Sequence, residues 1–511
     1  MAAVSEFYRD KAVLITGATG FMGKVLVEKL LRSCPQVATL YVLLRPKGQH
    51  SVAERRQQLL SAQIFDSLRR SSPSQLEKLV AVPGDIMQPG LGLNSVDRAR
   101  LEQEVSIVFH SAATVKFDEA LKVSVYMNVK GTQSLLHLAK KMPKLEAFIH
   151  VSTAYANCDR EVIDEMVYPS PADPRKVMDT VEWLDEDVIA DMTPRLLGNR
   201  PNTYTFTKAL AESLIVSEKG SLPVTIVRPS IVTCAWKEPL PGWIDNFNGP
   251  TGLIAGSGKG LMRTLLCDEN LVADIVPVDV PINLMITAAW HTAVHRPQEM
   301  LVYNCASGSI RPIYWRQVLK YGHNELRRSP LSDVFWYPGG SFTKSPMLHN
   351  FWVAVCHFLP AYAIDAVIML MGKKPMMVRI HSKMLRAMRC LTYFTTHQWT
   401  FKSNNCLALL DQMSLEDRKE FHFELKDMDW ESYISTYCLG VRRFILKEED
   451  KADRARRRLN MMYYLHHSLR LLLFLLAWRV LVSRSGSVRA LCTSLLNLAL
   501  QLLRLRPRIA S

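Results

Sequence analysis

A tyrosine and a lysine stand four residues apart, at Tyr204 and Lys208. On a helix this spacing puts both side chains on one face. A phenol with an ordinary pKa of about 10 exchanges protons poorly at neutral pH, and a nearby ammonium lowers that pKa by favouring the phenolate. The pair is therefore predicted to act as an acid/base catalyst, with Tyr204 exchanging the proton and Lys208 tuning its pKa.

A hydroxyl group that could hold a substrate oxygen follows an apolar run. Residues 147–151 are typical of a buried strand, which delivers Ser152 and Thr153 at its carboxyl end. Such a hydroxyl would stabilise the charge that develops on the oxygen during reaction. Adjacent strand residues face opposite sides, so only one of the two can face a cofactor, and the prediction favours Thr153 over Ser152 as the catalytic hydroxyl.

A second pair, Tyr126 and Lys130, has the same spacing, so spacing alone does not identify the site. Tyr204 follows the strand that bears the hydroxyls and precedes another strand at the same sheet edge. Tyr126 lies one unit earlier, with no hydroxyl-rich strand before it. Position therefore favours Tyr204 as the catalytic tyrosine, and Asn128 is interpreted as structural.

A glycine-rich turn lies near the amino terminus. The apolar run that begins at Ala12 breaks into Gly17, Gly20 and Gly23, three residues apart. Gly17 lets the chain turn, Gly20 lets the backbone approach a pyrophosphate, and Gly23 lets a helix pack closely on the strand. The free N–H groups of that helix start would hold the phosphates of a dinucleotide.

Two cations follow the next buried strand, at Arg45 and Lys47. An NAD enzyme would place an acidic residue here for the ribose 2′-hydroxyl, whereas cations suit a 2′-phosphate. The sequence therefore favours NADPH over NADH as the cofactor. The alternative is that both are ordinary surface cations.

Further cofactor contacts are expected at the ends of the other strands, because ligands of such sheets bind at the carboxyl edge. Asp85 and Ile86 would meet the adenine, although a solvated turn aspartate is the alternative for Asp85. The small residues after the fourth strand would leave room for the cofactor. The predicted cofactor contacts are Gly17, Thr19, Gly20, Phe21, Met22, Gly23, Arg45, Lys47, Asp85, Ile86, Ser111, Ala112, Ala113, Lys208, Arg228, Pro229 and Ser230.

The elements that must position these residues alternate between strand and helix. Apolar runs of strand length recur near residues 12, 39, 79, 106, 147 and 224, with helical patterns between them. This alternation predicts an α/β fold with a doubly wound parallel sheet. A chain of 511 residues is too long for one compact core, so further domains are expected after it.

The charge of the chain is concentrated at its carboxyl end. The formal net charge is +15, and residues 447–511 hold thirteen Lys or Arg against four acidic residues. These cations flank apolar runs, which favours an anionic membrane surface over a nucleic acid as the partner. The ten cysteines show no metal-type pairing, so no metal site is predicted. No secretory signal is expected, since the first apolar run is the cofactor strand, and the thiols should face the reducing cytosol.

Together the motifs resemble a known family. The run GATGFMG at 17–23, the Ser-Ala-Ala at 111–113, the Ser-Thr-Ala-Tyr at 152–155 and the pair Tyr204 and Lys208 are similar to the extended short-chain dehydrogenases/reductases. The segments KLEAFIHVSTAYANC (144–158), RPSIV (228–232) and PGWIDN (241–246) narrow the resemblance to the alcohol-forming fatty acyl-CoA reductases. LEDRK (415–419), WESY (430–433) and GVRRF (440–444) resemble the small C-terminal domain that those enzymes share with plant male-sterility proteins.

This resemblance implies an extended Rossmann fold and a two-step reduction. A long-chain fatty acyl-CoA would be reduced to a primary alcohol with two NADPH and release of CoA, supplying alcohols for wax ester and ether lipid synthesis. Thr153 and Tyr204 would stabilise and protonate the substrate oxygen in both steps. A covalent thioester on Cys158 or Cys234 is disfavoured, since direct hydride addition needs no nucleophile. The rivals are another extended short-chain dehydrogenase or epimerase, and a catalytically silent membrane scaffold.

The resemblance also divides the chain. It implies an NADPH-binding catalytic domain at 1–300, a connecting segment at 301–354, a mainly helical C-terminal domain at 355–448, and a basic linker with a membrane tail at 449–511. Residues 239–259 are expected to form a substrate loop. The family points to the peroxisomal membrane, with a C-terminal anchor and the catalytic domain facing the cytosol. The oligomeric state stays open.

Two apolar stretches have more than one interpretation. Residues 350–372 could line an acyl tunnel or lie at the membrane, although a buried core helix is the commoner meaning of such a run. In the tail, residues 471–478 are strongly apolar between Arg470 and Arg479, and a second stretch covers 490–503. A single anchor, a shallow hairpin that turns at 483–487, and an amphipathic helix packed on the protein are the three alternatives.

Overall fold

The computed structural model describes residues 3–448 and 452–484, together with residues 486, 490, 494, 495 and 498. Its strands, in chain order, are β1 Ala12–Thr16, β2 Thr39–Leu44, β3 Leu79–Pro83, β4 Val105–His110, β5 Ala147–Val151, β6 Val162–Ile163, β7 Val224–Pro229, β8 Ile231–Thr233, β9 Thr264–Leu266, β10 Ile275–Pro277, β11 Val302–Cys305, β12 Ser341–Thr343 and β13 Thr400–Phe401. Its α-helices are α1 Ala3–Phe7, α2 Phe21–Ser33, α3 Val52–Leu60, α4 Asp66–Ser71, α5 Ser95–Glu104, α6 Leu121–Val125, α7 Gly131–Ala139, α8 Pro174–Trp183, α9 Glu186–Leu197, α10 Thr203–Glu218, α11 Pro250–Gly258, α12 Asp279–His295, α13 Trp315–Arg328, α14 Pro346–Val353, α15 Leu359–Leu370, α16 Met377–Thr396, α17 Asn404–Asp411, α18 Leu415–Glu420, α19 Trp430–Gly440 and α20 Ala452–Arg484.

Seven strands form one parallel sheet in the order β11-β7-β5-β4-β1-β2-β3. The winding direction reverses between β1 and β4, which makes this a doubly wound sheet with a crevice at the reversal point. All seven carboxyl ends lie at one edge, so the residues that follow each strand converge there. The predicted fold class is confirmed.

Helices that connect the parallel strands cover both faces of the sheet. Val13 and Ile15 of β1 point into one apolar cluster, whereas Leu14 points into another on the opposite face. Helices α2 and α12 pack on the first face, and α7 and α10 lie on the second. Continuous apolar runs such as that of β1 are therefore buried on both sides.

The sheet extends past residue 300, since β11 pairs with β7 as its edge strand. The mainly helical C-terminal region is fastened to the sheet domain at several points. The hydroxyl of Tyr433 in α19 donates to the Cys234 carbonyl at 2.8 Å. Gly440 lies so close that a Cβ there would stand 1.9 Å from the Gly242 carbonyl oxygen. These close contacts join the two regions.

Within the described part of the chain, two helical segments are long and apolar enough to cross a membrane, Pro346–Leu370 and Asp453–Arg484. The interpretation of the first as a buried core helix is wrong, because its apolar side chains are largely exposed; Leu370 is 89 % exposed. In the tail, α20 continues unbroken to Arg484, and residues 471–478 are exposed rather than packed on the protein. The second predicted stretch, 490–503, lies almost entirely outside the described residues.

Candidate active site

The glycine-rich loop after β1 has the predicted geometry. Gly17 adopts φ +79°, and a Cβ on it would stand 2.7 Å from the Ala112 nitrogen. A Cβ on Gly23 would stand 2.2 Å from the Gly17 carbonyl oxygen, so α2 can pack here only through a glycine. Gly20 is exposed, and the only atom near a Cβ on it is that same oxygen at 3.2 Å. The loop therefore forms an open cradle at the start of α2.

The residues after β4 complete one wall of this cradle. The Ser111 N–H donates to the Thr16 carbonyl at 3.3 Å, and the Ala112 N–H donates to the Thr16 hydroxyl at 3.2 Å. Ser111, Ala112 and Ala113 are all partly exposed there. The predicted small-residue passage thus lies directly against the glycine loop.

Two side chains in the first turn of α2 also contact the expected substrate loop. The ring of Phe21 stacks on Trp243 with centroids 5.5 Å apart. Next to it, Lys24 forms an ion pair with Asp245 at 2.6 Å. Residues 243–245 therefore lie over the helix that is predicted to hold the cofactor phosphates, whereas residues 250–258 of the expected loop form helix α11.

A basic cluster lies beside the loop, and sequence reasoning found only part of it. Arg55 of α3 donates to the hydroxyl of Thr19 at 3.3 Å and to the Arg45 carbonyl oxygen. Partial burial and the neighbouring Arg45 charge lower the pKa of Arg55. Lys47 is exposed in the turn before α3. The signal for Arg55 was available, because it stands in the first turns of the helix that follows the two predicted cations.

Asp85 serves the turn after β3 and also contacts the basic cluster. Its carboxylate accepts the Met87 N–H at 3.0 Å, and it lies 3.4 Å from the Arg45 guanidinium. Ile86 is buried, and a Cβ on Gly131 would stand 2.6 Å from its Cγ1. The adenine contact of these two residues stays a prediction.

Helix α10 carries the tyrosine and the lysine and is capped by Asn202, whose side chain accepts the Thr205 N–H at 2.9 Å. The amine of Lys208 is buried and donates to the Val151 carbonyl at 2.7 Å, at the end of β5. Burial lowers the pKa of Lys208 to about 8, and the nearby Glu212 carboxylate opposes this shift. The helix thus places this amine at the edge where the strands end.

The expectation that Lys208 lowers the pKa of Tyr204 is wrong for this structure. Desolvation raises the pKa of the Tyr204 phenol to about 12, and only the hydrogen bond with Thr153 lowers it. The physical reason is that the crowded surroundings of the phenol disfavour the phenolate, while Lys208 is engaged with the Val151 carbonyl. Tyr204 therefore holds its proton firmly at neutral pH.

The two adjacent hydroxyls after β5 point in different directions, as expected. The Ser152 hydroxyl donates to the Glu212 carboxylate at 2.5 Å. The same carboxylate forms a buried ion pair with the Arg228 guanidinium, with N–O distances of 2.8 and 2.6 Å. Thr153 hydrogen-bonds Tyr204 and accepts the Tyr155 N–H at 3.3 Å. Of these two hydroxyls, that of Thr153 is therefore the one that interacts with the Tyr204 phenol.

The predicted cofactor contacts at the end of β7 and directly after it are largely engaged within the protein. The guanidinium of Arg228 is fully buried, and besides Glu212 it donates to the carbonyls of Asp164 and Met166. The Pro229 carbonyl accepts from Thr153 at 3.5 Å, and Ser230 is buried. Arg228 thus holds α10 and β7 together. Sequence reasoning missed Glu212, although it continues the spacing of four from Lys208.

The second tyrosine and lysine pair has a different environment. The ammonium of Lys130 lies 4.6 Å from the Tyr126 ring centroid and forms an ion pair with Glu182 at 2.6 Å. Asn128 is buried; its side-chain oxygen accepts the Thr114 N–H at 3.0 Å, and its amide donates to Thr207 at 2.9 Å. These contacts agree with the structural interpretation of Asn128.

An aromatic cluster from distant parts of the chain closes the site beside Tyr204. The rings of Phe117 and Tyr204 are 5.9 Å apart, and Phe117 lies 5.2 Å from Phe394 of α16. Phe394 packs edge-on against Tyr155 at 5.0 Å. The C-terminal region therefore contributes to the surroundings of the phenol, which no local pattern indicated.

The two thiols considered for covalent chemistry are not activated. Cys158 and Cys234 are both buried. Burial raises the pKa of Cys158 to about 11 and raises that of Cys234 well above its ordinary value. Neither is a thiolate at neutral pH, which agrees with the preference for direct hydride addition.

Comparison with family models gives two matches, both described as male sterility protein, over residues 15–285 and 356–448. Fatty acyl-CoA reductase 1 of Xenopus laevis is 45 % identical over 490 residues, which cover 96 % of this chain and 95 % of that protein. The human protein of the same name is 44 % identical over the same shares of the two chains. Fatty acyl-CoA reductase 2 of Mus musculus is 42 % identical over 493 residues, with the same coverage.

Among solved structures, the chain resembles the terminal R domain of the myxalamid PKS-NRPS pathway, with TM-score 0.57 and 21 % identity, covering 87 % of this chain and 93 % of that one. It also resembles the reductase domain of a nonribosomal peptide synthetase from Mycobacterium tuberculosis, with TM-score 0.56 and 18 % identity, covering 86 % and 96 %. At these identities the two structures support the fold alone.

Proposed function

This chain belongs to the family of fatty acyl-CoA reductases, and from that premise we propose that it reduces long-chain fatty acyl-CoA to the primary alcohol with NADPH. The observation that carries the proposal is the meeting of Thr153, Tyr204 and Lys208 at the sheet edge in a chain 45 % identical to a named reductase over nearly its full length. An epimerase or a silent scaffold is not favoured by these relatives.

The glycine cradle fits a dinucleotide. A pyrophosphate needs close approach to backbone N–H groups, and Gly20 leaves its outer side open at the start of α2. The dipole of α2 favours an anion at the same place. When bound, NADPH supplies the hydride for each reduction.

The basic cluster supports NADPH over NADH. Arg45 and Arg55 lie beside Thr19, where the second strand ends and a 2′-phosphate would be recognised. We expect Arg45→Ala to raise the KM for NADPH by about tenfold or more and to leave the KM for NADH nearly unchanged. Lys47→Ala, at the exposed neighbouring cation, should have a smaller effect. Equal effects of Arg45→Ala on the two cofactors would contradict a 2′-phosphate role.

Tyr204 is the proposed proton donor. Its pKa of about 12 keeps the phenol protonated at neutral pH, so it can donate a proton to an oxygen that becomes negative. Thr153 would hold the same oxygen through its hydroxyl. Lys208 would contact the bound cofactor, and its bond to the Val151 carbonyl fixes its position at the sheet edge.

The same groups would act twice. In the first step the thioester carbonyl becomes a hemithioacetal, with Thr153 and Tyr204 stabilising and protonating its oxygen, and the hemithioacetal then expels CoA. In the second step the aldehyde oxygen occupies the same place and becomes the alcohol. Because neither buried thiol is activated, Cys158 and Cys234 have no part in the proposed reaction.

The proposal extends to the tail and the location of the protein. The exposed apolar helix α20 would anchor the chain in the peroxisomal membrane, with the catalytic domain on the cytosolic side. Alcohol made there would supply wax ester and ether lipid synthesis. Co-localisation with a peroxisomal marker, and digestion of the catalytic domain by protease added to intact organelles, would test this arrangement.

The deciding experiment is NADPH oxidation by the purified full chain with palmitoyl- or stearoyl-CoA, followed by analysis of aldehyde and alcohol. We expect two NADPH oxidised per CoA released, with alcohol as the product. One NADPH with aldehyde as the product would reject the second step. No oxidation would reject the proposed reaction altogether.

A further inference from the structure

A helical hairpin of residues 346–396 protrudes from the C-terminal region. Its apolar helix runs from Pro346 to Leu370 through α14, a π-helical turn at Ala354–Phe358, and α15. A turn at 371–376 leads into its basic helix, α16. The two helices run antiparallel, because Asp365 accepts the Met377 N–H at 2.8 Å and the ring of His357 lies 5.4 Å from that of His381.

On the apolar helix, most polar side chains face the protein and most exposed side chains are apolar, which is the reverse of a helix on the surface of a soluble protein. Three of its polar side chains, His349, His357 and Asp365, are buried against the protein and spaced eight residues apart, whereas Asn350 is exposed. Its outer face is apolar and exposed, at Met347, Leu348, Phe351, Trp352, Val355, Leu359, Tyr362, Ile364, Val367, Met369 and Leu370. Water does not favour this arrangement, whereas a lipid environment does, since polar groups at lipid depth turn towards the protein.

Each inward polar group has a partner. His349 lies 3.3 Å from the Thr264 hydroxyl, and the His357 ring accepts the Arg263 N–H at 3.0 Å. Asp365 accepts the first N–H groups of α16 at 2.8 to 2.9 Å. The orientation of the helix is therefore held by specific bonds.

The turn and the basic helix add positive charge next to this apolar face. Six cations are exposed there, at Lys373, Lys374, Arg379, Lys383, Arg386 and Arg389. In the sequence, residues 366–396 contain no Asp or Glu. A cationic helix beside an exposed apolar helix complements an anionic headgroup layer with acyl chains beneath it.

We propose that this hairpin is a second membrane-docking surface, which lies in the plane of an anionic bilayer with its apolar helix at the boundary between headgroups and acyl chains. It lies in the plane rather than spanning, because one stripe of the apolar helix is covered by protein along its length and the cations of α16 run beside it. The partner is the lipid surface itself.

The hairpin and the tail lie on the same side of the molecule. The Arg263 N–H binds His357 of the hairpin, while its guanidinium donates to the Tyr337 carbonyl at 2.7 Å. The Tyr337 ring stacks on His466 of α20 at 5.8 Å. One bilayer can therefore receive both the hairpin and the tail that continues from His466.

Docking would also bring lipid close to the reactive phenol. The basic helix ends beside Phe394, which contacts Phe117 next to Tyr204. An acyl chain could then pass from the bilayer to the site along α16, a consequence that rests on the proposed function. The docking itself does not depend on that function.

Two tryptophans report on the two membrane contacts in the full chain. Trp352 is on the apolar helix and Trp478 is in the tail, 39 % and 45 % exposed. The chain is reconstituted in phosphatidylcholine vesicles containing phosphatidylserine, with bromine on the acyl chains either near the headgroup or near the chain end. The contribution of each tryptophan is obtained by subtracting the fluorescence quenching of Trp352→Phe or Trp478→Phe from that of the wild type. We expect Trp352 to be quenched mainly by bromine near the headgroup.

Charge reversal tests the basic turn. The double variant Lys373→Glu, Lys374→Glu should reduce quenching of Trp352 by about half or more and leave Trp478 unchanged. The matched control is Lys140→Glu, Lys141→Glu, at two consecutive exposed lysines outside the hairpin, and it should change neither signal. Unquenched Trp352 beside quenched Trp478 would overturn the proposal, as would stronger quenching from the chain end or no effect of the charge reversal. NADPH oxidation by the same vesicles measures the proposed reaction separately.

Discussion

The chain contains two tyrosine and lysine pairs with identical spacing and opposite surroundings. At Tyr204, the lysine amine is buried at the end of β5 and the phenol bonds Thr153. At Tyr126, the lysine ammonium lies over the ring and pairs with Glu182 near solvent. The difference shows that the same spacing gives different surroundings depending on where the helix meets the sheet, and desolvation and a neighbouring hydroxyl then decide the pKa of the phenol.

Removing the phenol oxygen should separate the two pairs most strongly. We expect Tyr204→Phe to lower kcat by about 10³-fold, because the proton donor is lost, while NADPH affinity is retained. Tyr126→Phe is the matched variant and should stay close to wild type. Steady-state kinetics with stearoyl-CoA and NADPH binding by fluorescence measure both. Equal losses in the two variants would remove the distinction.

The next largest effect is expected from removing the Thr153 hydroxyl, which lies beside Tyr204. Thr153→Val keeps the shape of the side chain and should lower kcat by about 10²-fold through loss of oxygen stabilisation. Ser152→Ala removes a hydroxyl that bonds Glu212 instead, so its main effect should be on thermal unfolding. If Ser152→Ala lost the larger part of kcat, the two roles would be reversed.

The buried amine predicts a pH dependence. Because burial lowers the pKa of Lys208 to about 8, the ammonium is present below that pH and is lost above it. We expect kcat/KM for NADPH to be flat below pH 8 and to fall by about tenfold per unit above it, as the ammonium that contacts the bound cofactor is lost. A pH profile of kcat/KM for NADPH tests this, with Tyr126→Phe as a control that should keep the same profile. A profile that stays flat to pH 10 would contradict the role of Lys208.

The smallest effect is expected at the half-buried Lys130. Lys130→Met removes a surface ion pair with Glu182 and a ring contact, and such pairs contribute little. We expect no measurable change in kcat or in the thermal unfolding midpoint. A clear loss of activity would mean that the second pair also acts on the substrate.

Much of the sheet could be predicted because its signals are local. Strands such as Thr39–Leu44 and Ala147–Val151 agree with the predicted bounds, since fully buried parallel strands appear as short apolar runs between turns. The glycines of the cradle were also predictable, because each answers a steric demand within its own turn. The strand at Val302–Cys305 was harder, since its pairing with β7 depends on chain more than seventy residues away.

The site was predicted in part. That Thr153, Tyr204 and Lys208 lie at one edge of the sheet was predicted from their order along the chain, and their roles stay a prediction; the raised pKa of Tyr204 was not predicted, since desolvation depends on everything packed around the phenol. Arg228 was expected at the cofactor, but Glu212 binds it inside the core. An apolar run cannot report which face it turns outward, so the sequence left residues 350–372 open between a tunnel, a membrane surface and a buried helix, and only the structure shows their exposure.

The sequence by itself determined the order of the first strands and helices, the glycine cradle and the candidate side chains of the site, because periodicity and turn chemistry act between near neighbours. Only the tertiary structure decided which tyrosine lies beside a hydroxyl, which arginine is engaged in an ion pair, and which apolar helix is exposed. Phe117 and Phe394 meet beside Tyr204 from positions 277 residues apart. Burial and charge at the site are sums over such distant contacts, and no local pattern contains them.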